Sequence, residues 1–347
     1  MAERLRAGII AAGFIGAVHA RAVRAAGGVV ARVAASTPER SAEAADRLGA
    51  LAPAGTGEDL IDASDVDVVH ICTPNSLHVP LAQRALAADK SVICEKPLAT
   101  TLSDARSLAA AASGARVATV PFVYRFYPAV REARARITAG EAGSLQLLHG
   151  AYLQDWQADG AAGWRGDATE GGAYRAFADI GVHWCDLVEF ITGHRITRLL
   201  AHTVDAGAST TMLFCTDAGA SGSVVVSQVA IGRRNALRFS VDGANAAYGF
   251  DQEHPETLMV GGIDGNLAVH RGSRATSAAA ARYSLLPPGL PHGYQDCFNA
   301  FVADTYSAIA GSAPDGLPTF TDGMRAAALV DAVITSSASS TWGDVPS

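Results

Sequence analysis

Between residues 5 and 121 the chain repeats one pattern: a short apolar run, a turn, then a stretch with helical spacing. Leu5 to Ala11 reads as a strand, and "AAGFIGAVHARAVRAAGG" as a turn and a helix closed by Gly27-Gly28. "VVARVAAS" is a second strand, and "TPERSAEAADRLG" a helix with Pro38 in its first turn and Gly49 past its end. "DVDVVHICTPN" gives a third strand, and "SVICEKP" and "RVATVPFVY" follow, with a helical stretch before each. Strands alternating with helices of this length specify a parallel sheet covered on both faces. Such sheets bind ligands in the crevice beyond the C-terminal ends of their strands. Gly13-Phe14-Ile15-Gly16, Thr73-Pro74-Asn75 and Glu95-Lys96-Pro97 all fall at those ends, so three loops converge on one crevice.

The first turn reads Ala11-Ala12-Gly13-Phe14-Ile15-Gly16, an AxGxxG where a dinucleotide fingerprint has GxGxxG. Gly13 is where backbone must approach a pyrophosphate, and Gly16 lets helix and strand pack closely. Ala11 takes the tight-turn position, which a negative φ would allow. Placed between a first strand and a first helix, the turn offers helix N–H groups to a phosphate; a glycine-rich turn with no ligand is the alternative. At the end of the second strand a carboxylate would bind a ribose 2′-hydroxyl. The chain has Ser36 and Thr37 there, with Arg40 following. That removes a repulsion against a 2′-phosphate and supplies a cation, so NADP is favoured over NAD. Ser36 or Thr37 can equally cap the helix that starts at Pro38.

Lys96 is conspicuous because the chain writes its cations as arginine: of 27 basic residues only Lys90 and Lys96 are lysine. Arginine does not give up its proton in a protein, whereas lysine takes part in proton transfer. The formal charge of −7 leaves no basic footprint for nucleic acid. Five scattered cysteines with no CxxC spacing fit reduced thiols in a cytoplasm better than a disulfide framework or a zinc site. Arg4, Arg6 and the apolar run after them imitate a signal peptide, but Glu3, the interrupting glycines and the strand–helix pattern favour structure over export. No apolar run is long enough to span a membrane.

From about Ser144 the pattern changes to strand-like runs punctuated by Asp-Ala-Gly, Asp-Gly and Gly-Gly turns, the hairpin signals of an antiparallel sheet. Helices are expected over 128–139, 179–192, 295–309 and 321–337, and a mobile loop at "SRATSAAAARYS". Length and pattern together divide the chain into a dinucleotide-binding domain over 1–121 and an α+β domain over 122–347. Within the second, Asp179 and His183 are four apart on a helix that stops at Gly193, so they share a face. Asp179 could hold the imidazole while His183 shuttles a proton; the competing reading has Asp179 capping the helix and His183 as a buried spacer.

Taken in order, A-x-G-F-I-G, C-T-P-N-x-x-H (Cys72 to His78), E-K-P and D-I-G-x-H (Asp179 to His183) resemble the glucose–fructose oxidoreductase / inositol dehydrogenase family. The resemblance spans nearly the whole chain. It implies a Rossmann domain followed by an α+β domain with a large, mainly antiparallel sheet. The implied activity is hydride transfer between a nicotinamide cofactor, NAD(P), and a hydroxyl or ketone of a sugar, sugar derivative or cyclitol. It also implies homodimers or homotetramers; charge, hydropathy and cysteine spacing give no expectation of a nucleic-acid or membrane partner or of a metal. By resemblance, Lys96 precedes a cis-Pro97 and meets the reacting oxygen, His183 is the acid/base, and Asp179 positions substrate and histidine. Thr73, Pro74, Asn75, His78 and Glu95 line the nicotinamide side, Trp164-Arg165 matches a pair near the cofactor, and Arg125 matches an arginine after the domain crossover.

Two features depart from the family pattern: Ala11 in place of the first glycine, and a longer loop before Asp179. That loop leaves Tyr174, Arg175 and Phe177 unmapped, free to shape a substrate pocket. A glycosidase using transient oxidation by bound NAD, or a non-catalytic nucleotide-gated regulator, are the competing functions. The intact Lys96, Asp179 and His183 argue against the regulator.

Overall fold

The computed structural model describes residues 4–114, 116–160 and 176–346. The chain divides into two compact units, Met1–Val123 with Gln295–Ala327, and Tyr124–Tyr294 with Ala328–Ser347. The division by residue 121 read from the sequence placed the whole C-terminal stretch in the second domain. Residues Gln295–Ala327 instead pack with the first unit, a long-range return that no local pattern announces.

The first unit holds a wholly parallel sheet of β1 (Arg6–Ile10), β2 (Val29–Ala34), β3 (Ala52–Pro53), β4 (Val68–Ile71), β5 (Ser91–Cys94) and β6 (Ala118–Thr119). The strand order is β3-β2-β1-β4-β5-β6. This is a doubly wound sheet whose order reverses between β1 and β4, the switch point where such sheets bind ligands. The connecting helices are α1 (Phe14–Ala25), α2 (Pro38–Leu48), α3 (Gly57–Asp62), α4 (His78–Ala87) and α5 (Leu102–Ala112). Every residue of β4 and β5 is buried, which is why these strands read as unbroken runs and not as alternation. The edge strand β3 and the short α3 escape the sequence pattern, because two residues ending in proline carry no strand signal. The strand read from "RVATVPFVY" is only the two residues of β6.

Local signals set the helix ends. Thr37 Oγ1 accepts from the Arg40 N–H, Pro38 is the first helical residue of α2, and Gly49 ends it in the left-handed region.

The second unit begins with α6 (Pro128–Thr138) and contains α7 (Val182–Thr192), preceded by a single π-helical turn over Phe177–Gly181. Its sheet has nine strands: β7 (Leu145–Leu153), β8 (Ile196–Val204), β9 (Ser209–Thr216), β10 (Ser221–Ser227), β11 (Ala236–Gly243), β12 (Ala247–Asp251), β13 (Thr257–Gly262), β14 (Gly265–His270) and β15 (Gly343–Asp344). All pairs are antiparallel except β7 with β10. One face is apolar and buried, with Met212, Phe214, Val224, Val226, Leu237, Phe239 and Tyr248. Gly150 in β7 is there because a Cβ would lie 2.0 Å from the Arg238 carbonyl and 2.6 Å from the Trp184 indole nitrogen. That nitrogen itself donates to Arg238 O at 2.8 Å.

The chain continues through a helical turn, α8 (Ala278–Ala281), where the sequence suggested a mobile loop, then α9 (Tyr294–Ile309) and α10 (Phe320–Ser339). Among the described residues no cysteine is in a disulfide. Among the described residues no helix is long and apolar enough to cross a membrane, and no cluster of His, Cys, Asp and Glu could hold a metal.

Candidate active site

The loop after β1 has the geometry of a phosphate cradle. Gly13 is extended at the N-terminus of α1, no side chain caps that helix, and a Cβ on Gly13 would meet nothing within 4 Å. First-turn N–H groups are left without a side-chain cap, and an anion there is favoured by hydrogen bonding and by the helix dipole. A Cβ on Gly16 would lie 2.3 Å from the Ala11 carbonyl oxygen, so only glycine fits. Phe14 is exposed and Ile15 half-buried in the first turn. The negative φ expected for Ala11 is not what the fold adopts. Its φ is +77°, because its N–H still bonds Ala34 O of β2 before the chain reverses into the loop. Arg47, which sequence reasoning passed over, reaches from the end of α2 to the Ala12 carbonyl.

The end of β2 runs into the capping residue of α2. Thr37 caps α2, while Arg40 Nη1 donates to Ser36 Oγ at 3.0 Å. Arg40 and Ser36 are both exposed.

The loops after β4 and β5 are tied to each other. Buried His78 has Nδ1 2.7 Å from Pro97 O and Nε2 3.0 Å from Thr73 O. Burial pushes its pKa below the ordinary imidazole value, opposed by these two carbonyls. His78 is thus a strap beneath the site. Pro74 leads into a 3₁₀ turn that begins at buried Asn75. Thr73 Oγ1 is buried and has no hydrogen-bond partner among the described residues, an acceptor and donor left for a ligand. Glu95 is buried, one of its carboxylate oxygens accepts the Lys96 N–H, and the Lys96–Pro97 bond is cis as the resemblance implies.

In the second unit Asp179 does not cap a helix. It lies inside the π-helical turn that runs directly into α7, where the Val182 N–H reaches back to Phe177 O. Extra turns of this kind recur at functional sites. Gln228 Nε2 donates to Asp179 Oδ2 at 2.7 Å. His183 is buried with the Tyr124 ring edge-on at 5.1 Å and Tyr152 at 6.4 Å. Tyr152 donates to Asn235, which also accepts from Gln154. Such a wall of aromatic rings and amides suits a polyhydroxylated ligand, and it gave no sequence signal because its members come from three separate segments. Arg125 forms a buried two-pronged pair with Asp186, Nε donating to Oδ2 at 2.8 Å, and its guanidinium lies over the Phe190 ring. Trp164, Arg165, Tyr174 and Arg175 lie outside the described residues.

An open glycine over an uncapped helix, at the switch point of a 3-2-1-4-5-6 parallel sheet, with an unpartnered threonine hydroxyl after β4, fits a dinucleotide. The fold and site define a dinucleotide-binding oxidoreductase. A family described as "Oxidoreductase family, NAD-binding Rossmann fold" matches residues 5–121, and "GFO/IDH/MocA C-terminal domain" matches 130–248. The chain belongs to this Gfo/Idh/MocA oxidoreductase family. It is 31% identical to levoglucosan dehydrogenase of Pseudarthrobacter phenanthrenivorans over 99% of both chains. It is 28% identical to inositol 2-dehydrogenase of Rhizobium meliloti over 96% of both. A solved levoglucosan dehydrogenase in complex with NADH and levoglucosan superposes with a TM-score of 0.92, at 30% identity, over 99% of this chain and all of that one.

Proposed function

We propose that this enzyme moves a hydride between NAD(P) and a hydroxyl or ketone carbon of a sugar, sugar derivative or cyclitol. The observation that carries this reading is the end-to-end similarity to sugar and inositol dehydrogenases, in a chain that carries Lys96, Asp179 and His183. A bound nicotinamide supplies the two-electron acceptor or donor. The first unit binds the dinucleotide, its pyrophosphate at Gly13–Gly16 and its nicotinamide half along Thr73, Pro74, Asn75 and Glu95. The second unit binds substrate. Lys96 donates a hydrogen bond to the reacting oxygen and so favours the charge that develops there. His183 exchanges the hydroxyl proton, and Asp179, itself held by Gln228, orients substrate and imidazole. Trp164 and Arg165 are assigned to the cofactor by resemblance alone.

Ser36 and Arg40 favour NADP, since the guanidinium can exchange a neutral hydroxyl for a 2′-phosphate. The NADH complexes of the levoglucosan dehydrogenase relative make NAD the competitor.

The test is a panel of sugars and inositols incubated with NAD and with NADP, followed at the reduced-nicotinamide absorbance band. Turnover of at least one member is expected, with tighter NADPH than NADH binding by calorimetry. No turnover of any member with either cofactor would remove the dehydrogenase reading, and tighter NADH binding would remove the NADP preference.

A further inference from the structure

Beneath Glu95 the first unit buries a chain of polar side chains that the proposed chemistry leaves idle: His19 on α1, His70 on β4 and Tyr306 on α9. Both histidines are fully buried and Tyr306 is 6% exposed. The Tyr306 hydroxyl lies 3.2 Å from His70 Nε2, His70 Nδ1 lies 2.8 Å from His19 Nδ1, and His19 Nε2 lies 3.1 Å from Glu95 Oε1. The other Glu95 oxygen accepts the Lys96 N–H at 3.2 Å. Phe298 packs edge-on against His19, closing the chain off from water.

Counting protons orders this chain. Tyr306 has only His70 as a hydrogen-bond partner for its hydroxyl among the described residues, so its O–H donates to Nε2. Burial keeps His70 well below the ordinary imidazole pKa and raises the Tyr306 phenol, so the ring is neutral and the phenol keeps its proton. The single proton of His70 is then on Nδ1 and is donated to His19 Nδ1. His19 accepts there, carries its own proton on Nε2 and donates it to the Glu95 carboxylate. All three bonds point from phenol to carboxylate. Reversing the His19–His70 bond would need a proton on Glu95 or a doubly protonated His19, and either would turn His70 Nε2 into a donor and leave the Tyr306 O–H buried without an acceptor.

We propose that Tyr306, His70 and His19 are positioning residues that hold the Glu95 carboxylate, and through it the backbone from which Lys96 departs, in one orientation for reaction. The chain also cross-links the three elements whose ends form the site: α1 begins at the phosphate loop, β4 leads into Thr73-Pro74-Asn75, and β5 leads into Lys96. Hydrogen bonds in such a dry interior polarise one another, so loss of the distal donor is felt at Glu95. The inference rests on the reading of Lys96 as the group that meets the reacting oxygen.

Its first test needs no substrate. In the full-length protein labelled with ¹⁵N-histidine, with ring signals assigned through His19→Gln and His70→Gln, His70 is expected as the Nδ1–H tautomer and His19 as Nε2–H at pH 7.5. Tyr306→Phe should convert part of His70 to the other tautomer while the fold melts near the parental temperature. In turnover of a substrate found in the panel, Tyr306→Phe should lower kcat by about two- to ten-fold, the worth of one hydrogen bond. KM and dinucleotide affinity should stay the same. His19→Gln, which can still donate to Glu95, should keep more activity than His19→Leu. A protonated Nδ1 on His19, or tautomers indifferent to Tyr306→Phe, would overturn the relay whether or not a substrate is found. Altered tautomers with unchanged kcat would overturn its positioning role while leaving the dehydrogenase reading intact.

Discussion

Ala11 stands where φ is +77°, a region that a Cβ makes unfavourable by about 1–2 kcal/mol. Ala11→Gly is therefore expected to raise stability by about 1 kcal/mol, glycine's greater unfolded freedom offsetting part of the relief. Calorimetric melting checks the gain, and a lower melting temperature would show that the methyl group packs productively. Lys96→Arg is the sharper probe of chemistry, because it keeps the cation and loses the titratable ammonium proton through which Lys96 would act with His183 as one proton-transfer unit. Its kcat should fall by roughly 10²–10⁴-fold, the usual range for a proton-transfer group, with dinucleotide affinity retained. Steady-state rates at close to parental values would make Lys96 a mere charge. Both positions were legible in the sequence, since a turn residue and a strand-end lysine are local features. His19, His70 and Tyr306 were not: the partners are 51 and 236 residues apart, and a histidine inside an apolar run was the only hint.

At the scale of elements, two buried histidines hold strands and loops together, His70 within β4 and His78 at the start of α4. Both titrate below the ordinary imidazole value, chiefly because burial disfavours the cation. In the unfolded chain they titrate near about 6.5, so below that pH the unfolded state takes up protons the folded state refuses. Stability is thus fully present above about pH 6.5 and falls as the pH drops, by up to about 1.4 kcal/mol per pH unit for each histidine. Melting temperatures between pH 7.5 and 5.0 should show this slope, and His78→Gln should flatten it. A slope unchanged in that variant would assign the acid lability elsewhere. The helix carrying Asp179 and His183 was placed correctly by its apolar stripe and by Gly193. The π-helical turn over Phe177–Gly181 was not, because a single extra residue in a helix is decided by packing and not by propensity.

For the whole molecule, the outward face of the nine-stranded sheet is informative. Leu147, Leu213, Val225 and Met259 are each more than 40% exposed, and strand register puts them on one face. Exposed apolar side chains on one face of a broad sheet mark the kind of surface that a second copy covers through a two-fold axis. The protein should therefore elute as a dimer or larger in light-scattering chromatography, and Leu213→Glu with Val225→Lys should shift it toward monomer with its circular dichroism unchanged. A monomeric parent protein would end this assignment.

The periodicity of the first 121 residues and the turns of the remainder were enough for both sheets and for the loops at Gly13, Thr73 and Lys96, because strand burial, helix caps and turn glycines act over a few residues. Tertiary structure alone decided which distant segments meet: the return of Gln295–Ala327 to the first unit, the Tyr124, Tyr152 and Asn235 wall beside His183, and the ordered hydrogen bonds ending at Glu95. Buried polar groups must find partners, but which partner each finds is a matter of long-range packing, and that leaves no periodic trace in the chain.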